Sequence, residues 1–132
     1  MSGGAGVDTV SYSLAASGVT VDLSSVAAQV TGGGGTDTLS GFENLTGSAY
    51  ADTLTGDANA NVIIGGAGAD TIIGGGGADT LYGGTGADTF KYNATSDGGT
   101  GGVGNDVIKD FSVADGDRVD LTSILNSSAA VH

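Results

Sequence analysis

The sequence predicts an all-β fold, a parallel coil of very short strands joined by glycine- and aspartate-rich loops, on three observations. Gly65–Lys91 reads GGAGADTII, GGGGADTLY and GGTGADTFK, three consecutive nine-residue units of the form G-G-x-G-x-D-x-U-x, with U a large apolar residue. The 132 residues include 27 glycines and neither proline nor cysteine. Of the 15 acidic residues every one except Glu43 is aspartate, a residue that favours turns and oxygen-ligand sites over helix or strand interiors.

Within one unit, the glycines at positions 1, 2 and 4 permit a tight loop whose carbonyls converge. Positions 7 to 9 are β-branched or apolar and long enough for only a very short strand. The side chain at position 8 points to the opposite face from its neighbours, so Ile72, Leu81 and Phe90 are expected to share a core. Two units close one flattened turn, and units two apart then stack as parallel strands about 4.8 Å apart.

Taken from the N-terminus, residues 1–46 read as irregular coils of the same kind. Gly3–Ser11 and Gly32–Ser40 both fit the nonapeptide, while Gly41–Thr46 (GFENLT) interrupts the count. Between them, Val10-Tyr12-Leu14 and Val19-Val21-Leu23 alternate apolar with polar residues, which predicts two longer strands joined near Gly18. Residues 47–109 form the regular region: the phase runs from Gly47–Thr55, with Asp52, through Gly56–Ile64, where Asn61 takes the aspartate position, to Gly101–Lys109, with Asp106. Tyr92–Thr100 keeps Asp97 but has Gly99 in place of the core residue, and reads as a weak rung or loop. In residues 110–132, two strands around Ala114-Asp115-Gly116-Asp117 are expected to cover the open end, with Asp115 and Asp117 in a solvated turn, a further ion site being the alternative, and Asn126–His132 as a tail.

The stacking has an electrostatic consequence. Asp70 and Asp88 fall on one edge one rung apart, as do Asp79 and Asp97, with Asn61 preceding Asp79. Two carboxylates about 5 Å apart at an effective dielectric near 20 repel by roughly 3 kcal/mol, so a ladder of them calls for a counter-cation. A hard divalent ion held by carboxylates and loop carbonyls meets that need, and a pliable loop with six or more oxygens favours Ca²⁺ over Mg²⁺.

Composition narrows the other classes. A formal net charge of -12 with three basic residues argues against nucleic acid as a partner. Without cysteine there is no disulfide framework or zinc-thiolate site. No apolar run approaches a membrane span, and Met1-Ser2-Gly3-Gly4 does not begin a signal peptide, so export is expected to proceed without one. Catalysis is not expected either: the only histidine is His132, and no serine sits in a G-x-S-x-G elbow.

The units at Gly65–Lys91, with GADTFKYNATSDGG after them and NDVIKDF and DGDRVDLTSIL near the end, resemble the RTX (repeats-in-toxin) family of haemolysin-type calcium-binding proteins. The resemblance implies a right-handed parallel β-roll, a β-solenoid with several Ca²⁺ ions between adjacent loops. The ligands it implies are Asp70 with Asp88, Asp79 with Asn61 or Asp97, Asp52 with Asp70, and Asp106 in its own unit. It adds carbonyls such as those of Gly65, Ala67, Gly74, Gly76, Gly83 and Thr85. It also implies an extracellular protein, the C-terminal region of a bacterial exoprotein that leaves by type I secretion and folds on meeting calcium. The alternative is an adhesive or polysaccharide-binding accessory module of an RTX adhesin or of a secreted protease, lipase or alginate epimerase. Tyr50, Tyr82 and Tyr92 are the aromatic candidates for a cell-surface or glycan ligand.

Overall fold

A computed structural model describes residues 1–93 and 106–122. Among these residues it has twelve strands: β1 (Thr9–Ser11), β2 (Thr20–Asp22), β3 (Gln29–Gly32), β4 (Gly35–Asp37), β5 (Asn44–Thr46), β6 (Thr53–Thr55), β7 (Val62–Ala67), β8 (Thr71–Ile73), β9 (Thr80–Thr85), β10 (Thr89–Lys91), β11 (Val107–Ile108) and β12 (Arg118–Asp120). They form two five-stranded parallel sheets, ordered β1-β5-β7-β9-β11 and β2-β6-β8-β10-β12, and one antiparallel pair, β3-β4. Consecutive strands of the roll alternate between the sheets, as a two-unit turn requires.

The register follows the sequence phase where that phase is unbroken. Asn44 pairs with Val62 and Val62 with Thr80 in one sheet, and Thr53 pairs with Thr71 and Thr71 with Thr89 in the other. Position 8 supplies the core from both sides: Val10, Leu45, Ile63 and Leu81 from one sheet and Val21, Leu54, Ile72 and Phe90 from the other are all buried. Each of these apolar side chains contributes roughly 1.5–3 kcal/mol on burial. Between rungs, the amides of Thr71, Thr89 and Arg118 donate to the carbonyls of Asp52, Asp70 and Asp88 at 2.9, 2.7 and 2.9 Å.

Three expectations are corrected. The alternating N-terminal segments are not longer strands: β1 and β2 have three residues each and lie in different sheets, because the chain turns after Ser11, with Ala15 donating to the Tyr12 carbonyl, and Leu14 stays exposed. Gly32–Ser40 is not a loop-and-strand unit. Its Gly35–Asp37 segment pairs antiparallel with β3, and the Asp37 carboxylate accepts from Tyr12 Oη at 2.9 Å and Thr31 Oγ1 at 3.2 Å. Asp117 is not in a solvated turn. It is 8 % exposed, and its Oδ1 accepts the Asp88 amide at 2.9 Å while Oδ2 accepts that of Ser112 at 2.8 Å. Among the described residues a strand ends each sheet, β11 on β9 and β12 on β10, and of the two only β12 falls within residues 110–132. Asp97 and the tail lie outside the described residues.

Candidate metal centre

Apart from β2, each strand of the two parallel sheets is preceded by its position-6 residue, and parallel register stacks these residues on the two edges of the roll. One edge carries Asp52, Asp70, Asp88 and Asp117. The Asp52 amide donates to Asp70 Oδ1 at 2.8 Å, that of Asp70 to Asp88 Oδ1 at 2.9 Å, and that of Asp88 to Asp117 Oδ1. The other edge carries Asp8, Glu43, Asn61, Asp79 and Asp106. Here the Asp8 amide donates to Glu43 Oε2 at 2.9 Å, Asn61 to Asp79 Oδ1 at 2.8 Å, and Asp79 to Asp106 Oδ1 at 2.9 Å. The rung after Asp79 is therefore Asp106, 27 residues on, rather than Asp97. Among the described residues β9 and β11 are direct neighbours in the sheet.

One oxygen of each carboxylate thus fixes the register, and the second faces the loop. Asp70 and Asp88 are 1 % and 0 % exposed, and their Oδ2 atoms have no hydrogen-bond partner. A buried carboxylate oxygen without a donor is costly. The position-1 glycine makes room for this arrangement. A Cβ built on Gly65 would run into both Asp70 Oδ2 and the Gly83 carbonyl oxygen, and one built on Gly74 would meet Asp79 Oδ2 with Asp106 Oδ2 3.2 Å away. At each glycine, oxygens from two neighbouring rungs converge on one small space, a donor set suited to a hard cation.

The charges respond to that crowding. Burial pushes the Asp70 carboxyl up from 3.8 to about 7; the Asp52 amide opposes the shift, and the charges of Asp52 and Asp88 add to it. Burial likewise raises Asp88 against the pull of the Asp70 amide, with the carboxylates of Asp117, Asp110 and Asp115 adding to the rise.

The structure brings together Asp52, Asp70 and Asp88 on one edge and Asn61, Asp79 and Asp106 on the other, with the glycine carbonyls of Gly65 and Gly83 in adjacent rungs of the first. The position-3 residues Ala67 and Thr85 pair in register, and Gly76 sits in the loop that stacks on Asp57–Ala60. Sequence reasoning missed Glu43, Asp110 and Asp117. Counting nine back from Asp52 and Leu54 gives Glu43 and Leu45, so GFENLT continues the phase rather than breaking it. Asp117-Arg118-Val119-Asp120 repeats the D-x-U-x half of the unit. Asp110 carries no such signal; it is revealed by its carboxylate, which accepts the amides of Gly83 and Gly84 at 2.9 Å each.

The family model described as the RTX calcium-binding nonapeptide repeat (4 copies) matches residues 39–71 and again 55–90. Residues 39–90 are RTX calcium-binding repeats. The RTX match begins at Leu39, ahead of Glu43, and ends at Phe90, so it takes in the position-6 residues from Glu43 to Asp88. A search of curated proteins gives no match to the chain.

Proposed function

We propose that this chain is a calcium-dependent folding module of an extracellular bacterial protein, exported through type I secretion machinery and completed when ions enter its loops. The observation that carries the reading is the convergence of Asp70 Oδ2, buried without a donor, with the Gly83 carbonyl over the Cα of Gly65. The proposed ligands are the carboxylates of Asp70, Asp79, Asp88 and Asp106 and the carbonyls of Gly65, Gly74 and Gly83, with Ala67, Gly76 and Thr85 as position-3 carbonyl donors. Calcium supplies the positive charge that these oxygens lack. The residues of the chain do the rest: they hold the carboxylates in register through amide donors, exclude water beneath the apolar core, and keep the cradle open with glycine.

The net charge of -12 supports the same reading, because self-repulsion disfavours compaction of the ion-free chain. Binding free energy then becomes folding free energy. The test is far-UV circular dichroism of the purified chain during Ca²⁺ titration, with Mg²⁺ as control. A cooperative, calcium-specific gain of β signal is expected. An equally folded chain in chelator would overturn the folding role.

A further inference from the structure

The residue at position 2 of each unit divides the loops into two kinds. In the units beginning at Gly65 and Gly83, position 2 is Gly66 at φ +119 and Gly84 at φ +100, and the position-6 Oδ2 has no donor. The unit beginning at Gly3 shows the same association, with Gly4 at φ +105 and Asp8 Oδ2 without a partner. In the units beginning at Gly47 and Gly56, position 2 is Ser48 and Asp57, and among the described residues no non-glycine has positive φ.

Those two loops complete themselves. The Ser48 amide donates to Asp52 Oδ2 at 2.5 Å and its hydroxyl to Asp52 Oδ1 at 2.7 Å, where the Val19 amide also donates at 2.8 Å. The Asp57 amide donates to Asn61 Oδ1 at 2.9 Å, and Asn61 Nδ2 donates to the Glu43 carbonyl at 2.8 Å and to Asp57 Oδ1 at 3.1 Å. A side chain at position 2 disfavours positive φ, and with φ negative the loop supplies donors where the glycine loops leave an acceptor bare. At Asn61 it is the neutral amide oxygen that faces the Gly74 carbonyl across Gly56, already satisfied by the Asp57 amide, while Nδ2 turns back to the preceding rung.

We infer that the second residue of each nonapeptide decides whether its loop takes an ion: the glycine loops at Asp70 and Asp88 take calcium, and the Ser48 and Asp57 loops are closed by their own hydrogen bonds and take none. The inference rests on the calcium reading above and narrows it: Asp52 and Asn61 then act as structural acceptors rather than ligands, and the Gly65 and Gly74 carbonyls that face them drop out of the ligand set.

Isothermal titration of the full chain with CaCl₂ tests it, comparing the unsubstituted protein with Asp52→Asn, Asp88→Asn and Ser48→Gly. Asp88→Asn is expected to weaken its site at least about tenfold or abolish it. Asp52→Asn is expected to leave the number of bound ions unchanged, and Ser48→Gly to add one. Loss of an ion in Asp52→Asn overturns the inference while leaving calcium binding intact. Absence of calcium binding by the unsubstituted chain overturns both readings. If Ser48→Gly fails to fold at saturating calcium, the near-isosteric Asp52→Asn, which keeps an oxygen acceptor, decides alone.

Discussion

The amide nitrogen of Asp70 lies 2.9 Å from Oδ1 of Asp88, which stands one rung further along the same edge. Each of these carboxylates therefore has two separable tasks. Oδ1 sets the register of the rung before it, and Oδ2 faces the loop without a donor. Replacing only the second oxygen should uncouple folding from calcium.

Asp70→Asn does this. Its amide oxygen can still accept the Asp52 amide, and its Nδ2 can then donate toward the Gly83 carbonyl, which shares the space over Gly65 with Asp70 Oδ2. Removing a buried, donor-free oxygen and gaining a hydrogen bond should stabilise the ion-free chain by about 1–3 kcal/mol. The calcium midpoint should rise. Urea unfolding in chelator, followed by calcium titration, reads both effects. A variant less stable than the parent in chelator would contradict this account of Oδ2.

Proton and calcium compete for the same oxygens. In the ion-free fold the Asp70 pKa is raised from 3.8 to about 7. Its contribution is thus fully favourable below the unfolded value and is lost as pH rises through about 7. Asp88, also raised, acts in the same direction. The chelated chain should therefore resist urea better near the acid end of that window than above it, and the calcium midpoint should move to higher concentration as pH falls. A chelated chain whose urea midpoint increases with pH across the window would refute the assignment.

Two glycines of the repeat should differ sharply in tolerance. A Cβ on Gly65 runs into Asp70 Oδ2 and the Gly83 carbonyl, so Gly65→Ala should block the cradle and abolish the calcium response of that rung. A Cβ on Gly76, at position 3, meets nothing closer than Ala58 Cα at 3.5 Å, which is ordinary contact. Gly76→Ala should therefore change the calcium midpoint little. Circular dichroism titrations of the two variants side by side would show the contrast; equal losses would place the constraint in backbone freedom rather than in the cradle.

The regular part of this architecture was legible because two units make one turn, so each 18-residue step returns a side chain to the same edge, as from Asp52 to Asp70 and from Asp70 to Asp88. Position 8 then placed Leu54, Ile63, Ile72, Leu81 and Phe90 in the core. Where a connection changes length the count loses meaning. The step from Asp79 to Asp106 is 27 residues and that from Asp88 to Asp117 is 29, and only the strand pairing reveals which carboxylate follows. The N-terminal alternation misled for another reason. Period-two patterning marks which face a side chain takes but not where a strand ends, and here the turn at Tyr12 ends it. Glu43 escaped notice because its stretch keeps only the position-4 glycine, Gly41, and so reads as an interruption, although Leu45 two residues later marks the phase.

The last rung also needs a cap, and Asp110 supplies it. Register carries Ile108 onto Leu81, which brings Asp110 over Gly83, and its two carboxylate oxygens take the amides of Gly83 and Gly84 at 2.9 Å each. β11 ends at Ile108, opposite Leu81, so the strand does not extend over Gly83 and Gly84, and the Asp110 carboxylate takes their amides instead. Charge-assisted hydrogen bonds of this kind contribute about 1.5–3 kcal/mol each. Asp110→Ala should therefore lower the stability of the calcium-loaded roll by about 3 kcal/mol or more, with amide exchange accelerating first at Gly83 and Gly84. Asp110→Asn keeps one acceptor and should fall between the two. If exchange at these amides is unchanged in Asp110→Ala, their protection comes from elsewhere and Asp110 is not the cap.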